Sequence, residues 1–145
     1  MKITIQDCPT GEEEEIIIRC RQIDEQLLKM VYSVRAGHDK LTVSKGEKIF
    51  QIPPSAVYYF EAVDNRVYAY GEKEVYEIKC KLYELEERFL HTDFFRASKS
   101  TIINLSKVKN FSPAFNGRFE VNLKNEEKLM VSRQYVPSLK EKLGL

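Results

Sequence analysis

A mainly β, α+β fold is predicted by three observations. From Leu41 onward, short runs rich in Val, Ile, Tyr and Phe alternate with turn residues every few positions. Asn116-Gly117 between two such runs is a strong short-range hairpin signal. Apolar residues recur at helical spacing in only three places: residues 24–36, residues 81–89, and the segment after Ser132.

The elements follow in order. Lys2-Ile3-Thr4-Ile5-Gln6-Asp7 alternates with period two and predicts a strand, ended by Pro9-Thr10-Gly11. Glu12–Glu15 is read as a solvated approach to a second, β-branched strand at Ile16–Cys20. Asp24 offers an N-cap to a helix carrying Leu27, Leu28, Val31 and Val34, with Gly37 as its stop. Packing on the chain's own sheet is the expected use of that stripe, and a protein–protein surface is the alternative. Leu41–Val43 and Lys48–Ile52 flank the Lys45-Gly46 turn as a hairpin, and Pro53-Pro54 ends it. Ser55 is placed to cap a short turn. Strands are predicted at Val57–Ala62, Val67–Tyr70 and Val75–Ile78, with Asp64-Asn65-Arg66 and Gly71-Glu72 as turns. Leu82, Leu85 and Phe89 mark a helix. Further strands follow at Phe94–Ser98, Thr101–Leu105, from Val108, and at Arg118–Leu123 and Lys128–Val131. Lys124-Asn125-Glu126 is the last hairpin turn. Ser132 is placed to cap a closing helix bearing Tyr135, Leu139 and Leu143, which either starts near Pro137 or is distorted there.

Composition bounds the function classes. The chain has 145 residues, 43% hydrophobic and 31% charged, with a net charge of +1, enough apolar residues for a packed core and too little net charge for disorder. It contains no run of about eighteen apolar residues and no signal-peptide core, so a soluble, cytoplasmic protein is expected. Cys8, Cys20 and Cys80 form no CxxC and are expected to be buried thiols; with only His38 and His91 to join them, no metal site and no cofactor is expected. Gly-rich phosphate loops, a nucleophile elbow and HExxH are all missing, so the chain is not expected to be an enzyme or to take a small-molecule substrate.

The charge is uneven. Residues 96–145 hold 10 Lys and Arg against 4 Asp and Glu, a net of +6, whereas residues 1–95 hold 13 against 18, a net of −5. The basic residues of the second half gather at strand ends and turns, where they serve either as soluble surface or as donors to phosphates and base edges.

Residues 48–143 resemble a LytTR DNA-binding domain. The stretches that carry the resemblance are Val57-Tyr58-Tyr59-Phe60-Glu61-Ala62, Leu82-Tyr83-Glu84-Leu85-Glu86, Phe94-Phe95-Arg96-Ala97-Ser98-Lys99-Ser100-Thr101-Ile102-Ile103-Asn104-Leu105, Asn116-Gly117-Arg118-Phe119-Glu120-Val121, and Val131-Ser132-Arg133-Gln134-Tyr135 with Leu139-Lys140. The resemblance implies elongated antiparallel β-sheets with a small helix, in which loop side chains rather than a recognition helix enter the major groove. It divides the chain into a strand-strand-helix extension over residues 1–45 and a LytTR-like DNA-binding domain over residues 46–145.

Carried over by position, Arg133 matches a groove-reading arginine and Lys99 a base-contacting position. Arg66 lies in the loop that holds a third reading residue. Arg96, Ser98, Ser100, Lys124 and Gln134 match positions near the DNA backbone; Ser98 stands where the family often has His. Asn104 and Tyr135 match the motif too, with a buried hydrogen-bonding or packing role set beside DNA contact, and Phe94, Phe95, Ile102 and Phe119 are core by alternation, with stacking on bases as the lesser alternative. The family implies a sequence-specific transcriptional regulator acting on double-stranded DNA at promoter repeats, standing alone without a receiver domain. A homodimer and a restraining membrane-protein partner are the further expectations. The alternative is a protein–protein interaction module on the same scaffold that has lost DNA binding.

Overall fold

The computed structural model describes residues 2–145, and ten strands in it form two antiparallel sheets. The larger contains β1 (Leu41–Lys45), β2 (Lys48–Ile52), β3 (Tyr59–Val63), β4 (Arg66–Tyr70), β5 (Val75–Ile78), β6 (Phe94–Arg96) and β7 (Thr101–Asn104), in the order β2-β1-β5-β4-β3-β7-β6. The smaller is a meander of β8 (Val108–Pro113), β9 (Phe119–Leu123) and β10 (Lys128–Val131). Three helices accompany them: α1 (Glu25–His38), α2 (Leu82–Arg88) and α3 (Val136–Lys142).

Alternation on the central strands explains how one sheet serves two cores. Phe60 and Ile102 point into a core with Leu41, Val43, Val67, Leu82, Leu85 and Phe89, beneath α2. Their neighbours Tyr59 and Ile103 point the other way, into a core with Val121, Leu123, Val131 and Leu139 from the smaller sheet and α3. Successive strand residues face opposite sides, so a strand covered on both sides reads as a continuous apolar run. That is the pattern of Thr101-Ile102-Ile103-Asn104, buried throughout. Phe95 is buried as expected; Phe94 and Phe119 are half-buried at the margins of the two cores.

Asn104 is polar and inside. Its Nδ2 donates to Val57 O at 2.8 Å, and its Oδ1 accepts from Ser106 Oγ at 2.7 Å and Ser106 N at 3.1 Å. The side chain is satisfied within the fold and ties β7 to the chain entering β3.

Most predicted elements from Leu41 onward are present, and the turn chemistry is visible. Asp64 and Asn65 have φ of 51° and 63°, the pair of left-handed residues that a two-residue turn between twisted strands needs. Asn116 (φ 60°) and Gly117 (φ 73°) are also left-handed, but they sit in a longer connection. Pro113 is the last residue paired to β9, and Ala114 N donates to Arg118 O at 2.8 Å to close the loop.

The extension differs from expectation in four respects. Lys2–Asp7 and Ile16–Cys20 are not strands: they are exposed and belong to neither sheet. Period-two patterning selects a strand only where a neighbour supplies the ladder, and the larger sheet ends at β2 and β6 without them. Second, Cys8 and Cys20 are exposed rather than buried; Cys80, in the β domain, is half-buried and packs against the core beneath α2. Third, Asp24 caps α1 as expected, accepting from Leu27 N at 2.8 Å, but the helix passes Gly37 and ends on Asp39. Fourth, α1 does not lay its apolar stripe on the sheet. It touches the 3-10 turn Pro54–Ala56, buries Ala36 in the core and leaves Leu27 and Val34 half-buried, while Leu28 and Val31 stay exposed.

Two smaller differences concern caps. Ser55 lies within its 3-10 turn, which Pro53 precedes, and makes no capping bond. Ser132 precedes the 3-10 turn Arg133–Tyr135, and its hydroxyl donates instead to Ala97 O at 3.4 Å. The larger sheet begins at Leu41, and its first hairpin spans the 45/46 position at which the sequence reading divides the chain.

Candidate nucleic-acid interface

The β6–β7 connection is built by its own residues. Arg96 Nε donates to Ser98 O at 2.7 Å, Nη2 to Lys99 O at 2.7 Å, and Nη1 to Glu86 Oε2 at 2.5 Å. All three guanidinium nitrogens are engaged, and the side chain is only 18% exposed. Ser100 N donates to Ser98 Oγ at 3.2 Å, closing a serine turn across Lys99. Lys99 is left exposed at the tip. A rigid loop thereby presents one free ammonium.

Two other loops are attached to this one. Ala62 N donates to Ser100 O at 2.8 Å, which sets the β3–β4 turn beside it. Arg66 opens β4 at that turn with its side chain 65% exposed, 4.0 Å from Glu77. On the other side, Ser132 N donates to Ala97 O at 2.9 Å and anchors the segment that carries Arg133 and Gln134, both exposed. The β8–β9 loop completes the end of the molecule. A Cβ built on Gly117 would lie 3.0 Å from Arg133 Cδ and 3.1 Å from Cγ, so the arginine stem rests directly on that glycine.

Six of the sequence-predicted residues therefore share one end with Arg96, which holds their central loop: Arg66, Ser98, Lys99, Ser100, Arg133 and Gln134. Lys124 does not. Its N donates to Lys107 O at 2.9 Å, and neighbouring Asn125 Nδ2 donates to Glu72 O at 3.1 Å, beside the β4–β5 turn. That turn lies at the far end of β4 from Arg66. Four residue steps of strand separate the two ends, roughly 13 Å.

Sequence reasoning passed over Arg118 and Phe115. Both are exposed in the β8–β9 loop next to Arg133, with Arg118 Nε donating to Phe115 O at 3.1 Å and Phe115 79% exposed. The signal was available in Asn116-Gly117: a loop turned by two left-handed residues displays its flanking side chains. The acidic groups at this end are largely accounted for, since Glu86 pairs with Arg96 and Glu77 faces Arg66, while Asp64 stays open in its turn.

Chemically, this end offers planar guanidinium forks and one ammonium on short, fixed loops, suited to phosphate oxygens and to the acceptor edge of guanine. Among the described residues, no group of three or more His, Cys, Asp or Glu is arranged to hold a metal ion, and no helix is long and apolar enough to cross a membrane. The helix α3 follows Arg133 but returns Val136 and Leu139 to the core. The architecture is a β scaffold whose exposed basic side chains at this end are carried by loops.

Comparison with known proteins agrees. The LytTr DNA-binding domain family matches residues 47–144, and the chain belongs to that family. It is 26% identical over 139 residues to the sensory transduction protein LytT of Bacillus subtilis, spanning 94% of this chain and 58% of that protein. The transcriptional regulatory protein YpdB of Escherichia coli K12 is 27% identical over 114 residues, 78% of this chain and 47% of that protein. An uncharacterized HTH-type transcriptional regulator of Staphylococcus aureus is 32% identical over 99 residues, 68% of this chain and 67% of that one. The chain thus spans about half the length of the LytT and YpdB regulators. Among solved structures, the LytTr DNA-binding domain of a Bacillus cereus response regulator superposes with a TM-score of 0.71 at 28% identity, covering 75% of this chain and all of that one.

Proposed function

We propose that this chain is a sequence-specific transcriptional regulator that reads the major groove of double-stranded DNA with loop side chains. The observation that carries the reading is the joining of three loops at one end, which gathers Arg66, Lys99 and Arg133 through the Ala62–Ser100 and Ser132–Ala97 hydrogen bonds. Arg133 is the principal base reader, with Lys99 and Arg66 beside it. Ser98, Ser100 and Gln134 donate to the DNA backbone nearby. Arg96 acts from behind, holding the loop that presents Lys99. Lys124, at the opposite end, reaches only DNA that extends past the main footprint.

Phosphate contacts supply salt-dependent affinity and base contacts supply selection. The reading assigns the chain no catalytic step. It carries two partners besides DNA: a second copy on repeated half-sites, which multiplies the selectivity of a small footprint, and a membrane protein that restrains the regulator. The exposed apolar residues of the N-terminal region support such partners.

Replacing Arg133 by Ala tests the assignment. The expected loss is about 1–3 kcal/mol of binding to the preferred site, with discrimination relaxed at one base position. Unchanged affinity and selectivity across a library of sites contradicts groove reading by Arg133. If the unaltered chain binds no DNA at low salt, the interaction-module reading takes its place.

A further inference from the structure

The residues before α1 form neither sheet nor helix, yet they carry an ordered chemical pattern. Gly11-Glu12-Glu13-Glu14-Glu15-Ile16-Ile17-Ile18-Arg19-Cys20-Arg21 is acidic at one end, apolar in the middle and basic at the other. Ile16 and Ile17 are each 66% exposed and Ile18 39%. No residue of this stretch is in a ladder; Glu12 N donates to Pro9 O and Cys8 Sγ reaches the Glu12 and Glu13 carbonyls, while no backbone bond is formed by residues 14–21.

We infer that Glu13–Arg21 is a self-complementary pairing strand that joins two copies of this chain antiparallel about a two-fold axis at Ile17. In that register Glu13 of each copy lies opposite Arg21 of the other, Glu15 opposite Arg19, and Ile16 opposite Ile18. Directly opposed residues in an antiparallel pair project to the same face. The odd-numbered face therefore becomes a ladder of Glu–Arg pairs centred on Ile17. The even-numbered face gathers Ile16 and Ile18 into a short apolar strip, flanked at each end by Glu14 of one copy opposite Cys20 of the other. A two-fold axis makes each contact occur twice, as a self-complementary patch requires. Parallel pairing stacks glutamate on glutamate and arginine on arginine, so the charge pattern selects the antiparallel copy.

A two-stranded ribbon alone is marginal in water and needs further apolar cover. The chain supplies it. Glu12 N donates to Pro9 O at 3.1 Å and Gly11 has φ of 96°, a formed turn that reverses the chain and sends Lys2–Asp7 back toward the pairing strand. Its exposed Ile3 and Ile5 alternate in the same period. On the other side, α1 starts at Glu25 and leaves Leu28 and Val31 exposed. The occupant of these surfaces is the second copy, whose own segment carries the matching charges.

This inference specifies how the pairing in the proposed function is made. Its test needs no DNA, so its failure leaves the DNA reading standing. Sedimentation velocity on the full chain at tens of micromolar is expected to show a dimer. The double variant Arg19→Glu with Arg21→Glu places like charges across the axis and is expected to be monomeric. So is Glu13→Arg with Glu15→Arg. Mixing the two variants restores every opposed pair, and the expected result is a heterodimer that neither forms alone. All four positions are exposed, and thermal unfolding of each variant checks that the β domain is intact. A monomeric unaltered chain, dimerisation of either double variant as strongly as the unaltered chain, or a mixture that stays monomeric overturns the proposal.

Discussion

Arg133 and Gly117 show how a single side chain is aimed. Gly117 has φ of 73°, a conformation that costs any residue with a Cβ, and its missing Cβ leaves room for the Arg133 stem. Gly117→Ala is expected to destabilise the domain by about 1 kcal/mol from backbone strain. It also pushes Arg133 aside, so DNA selectivity falls in the same direction as in Arg133→Ala. Combining both substitutions should then add nothing to the binding loss, which a double-mutant cycle on binding affinity measures. Arg96 teaches a related lesson. Position and charge marked it for the DNA backbone, but its guanidinium is consumed by Ser98 O, Lys99 O and Glu86. Whether an arginine is free or clamped depends on loop closure, which no spacing in the sequence reveals.

At the scale of elements, α3 sets the position of the turn that bears Arg133. Leu139 is fully buried against Val121, Leu123 and Val131 and pins the helix to the smaller sheet. Leu139→Ala is expected to cost about 2–5 kcal/mol in a denaturant titration, because the cavity left behind adds to the lost burial. The strands from Leu41 onward were legible because each brings its own local instructions: alternating apolar residues, and turns such as Asp64-Asn65 that tolerate left-handed backbone. Ile16–Cys20 carries equally good β residues and forms no strand. Its pattern describes a face but not a partner, and within one chain no strand is offered. The stripe on α1 misled for the same reason, since only Ala36 meets the body of the domain closely enough to be buried.

Over the whole molecule, the near-neutral total conceals a division between an acidic first part and a basic second part. The structure refines that division. The basic surplus is not one continuous edge, because Lys124 and its neighbours sit at the end of the meander away from Arg133. The family resemblance located the groove-reading candidates by position, and the hydrogen bonds between loops explain why distant segments meet. Ala62 to Ser100 and Ser132 to Ala97 link residues far apart in sequence, and only the folded sheet order makes those links available.

DNA binding by this chain is expected to have both an electrostatic and a sequence-reading part. The most direct measurement is a binding titration of the full chain against a DNA fragment from its own promoter region and against a scrambled fragment, each at two salt concentrations. The prediction is tighter binding to the promoter fragment at both salts, with affinity for both fragments falling as salt rises, because each phosphate contact releases counterions. Equal affinity for the two fragments, or no binding at the lower salt, contradicts it.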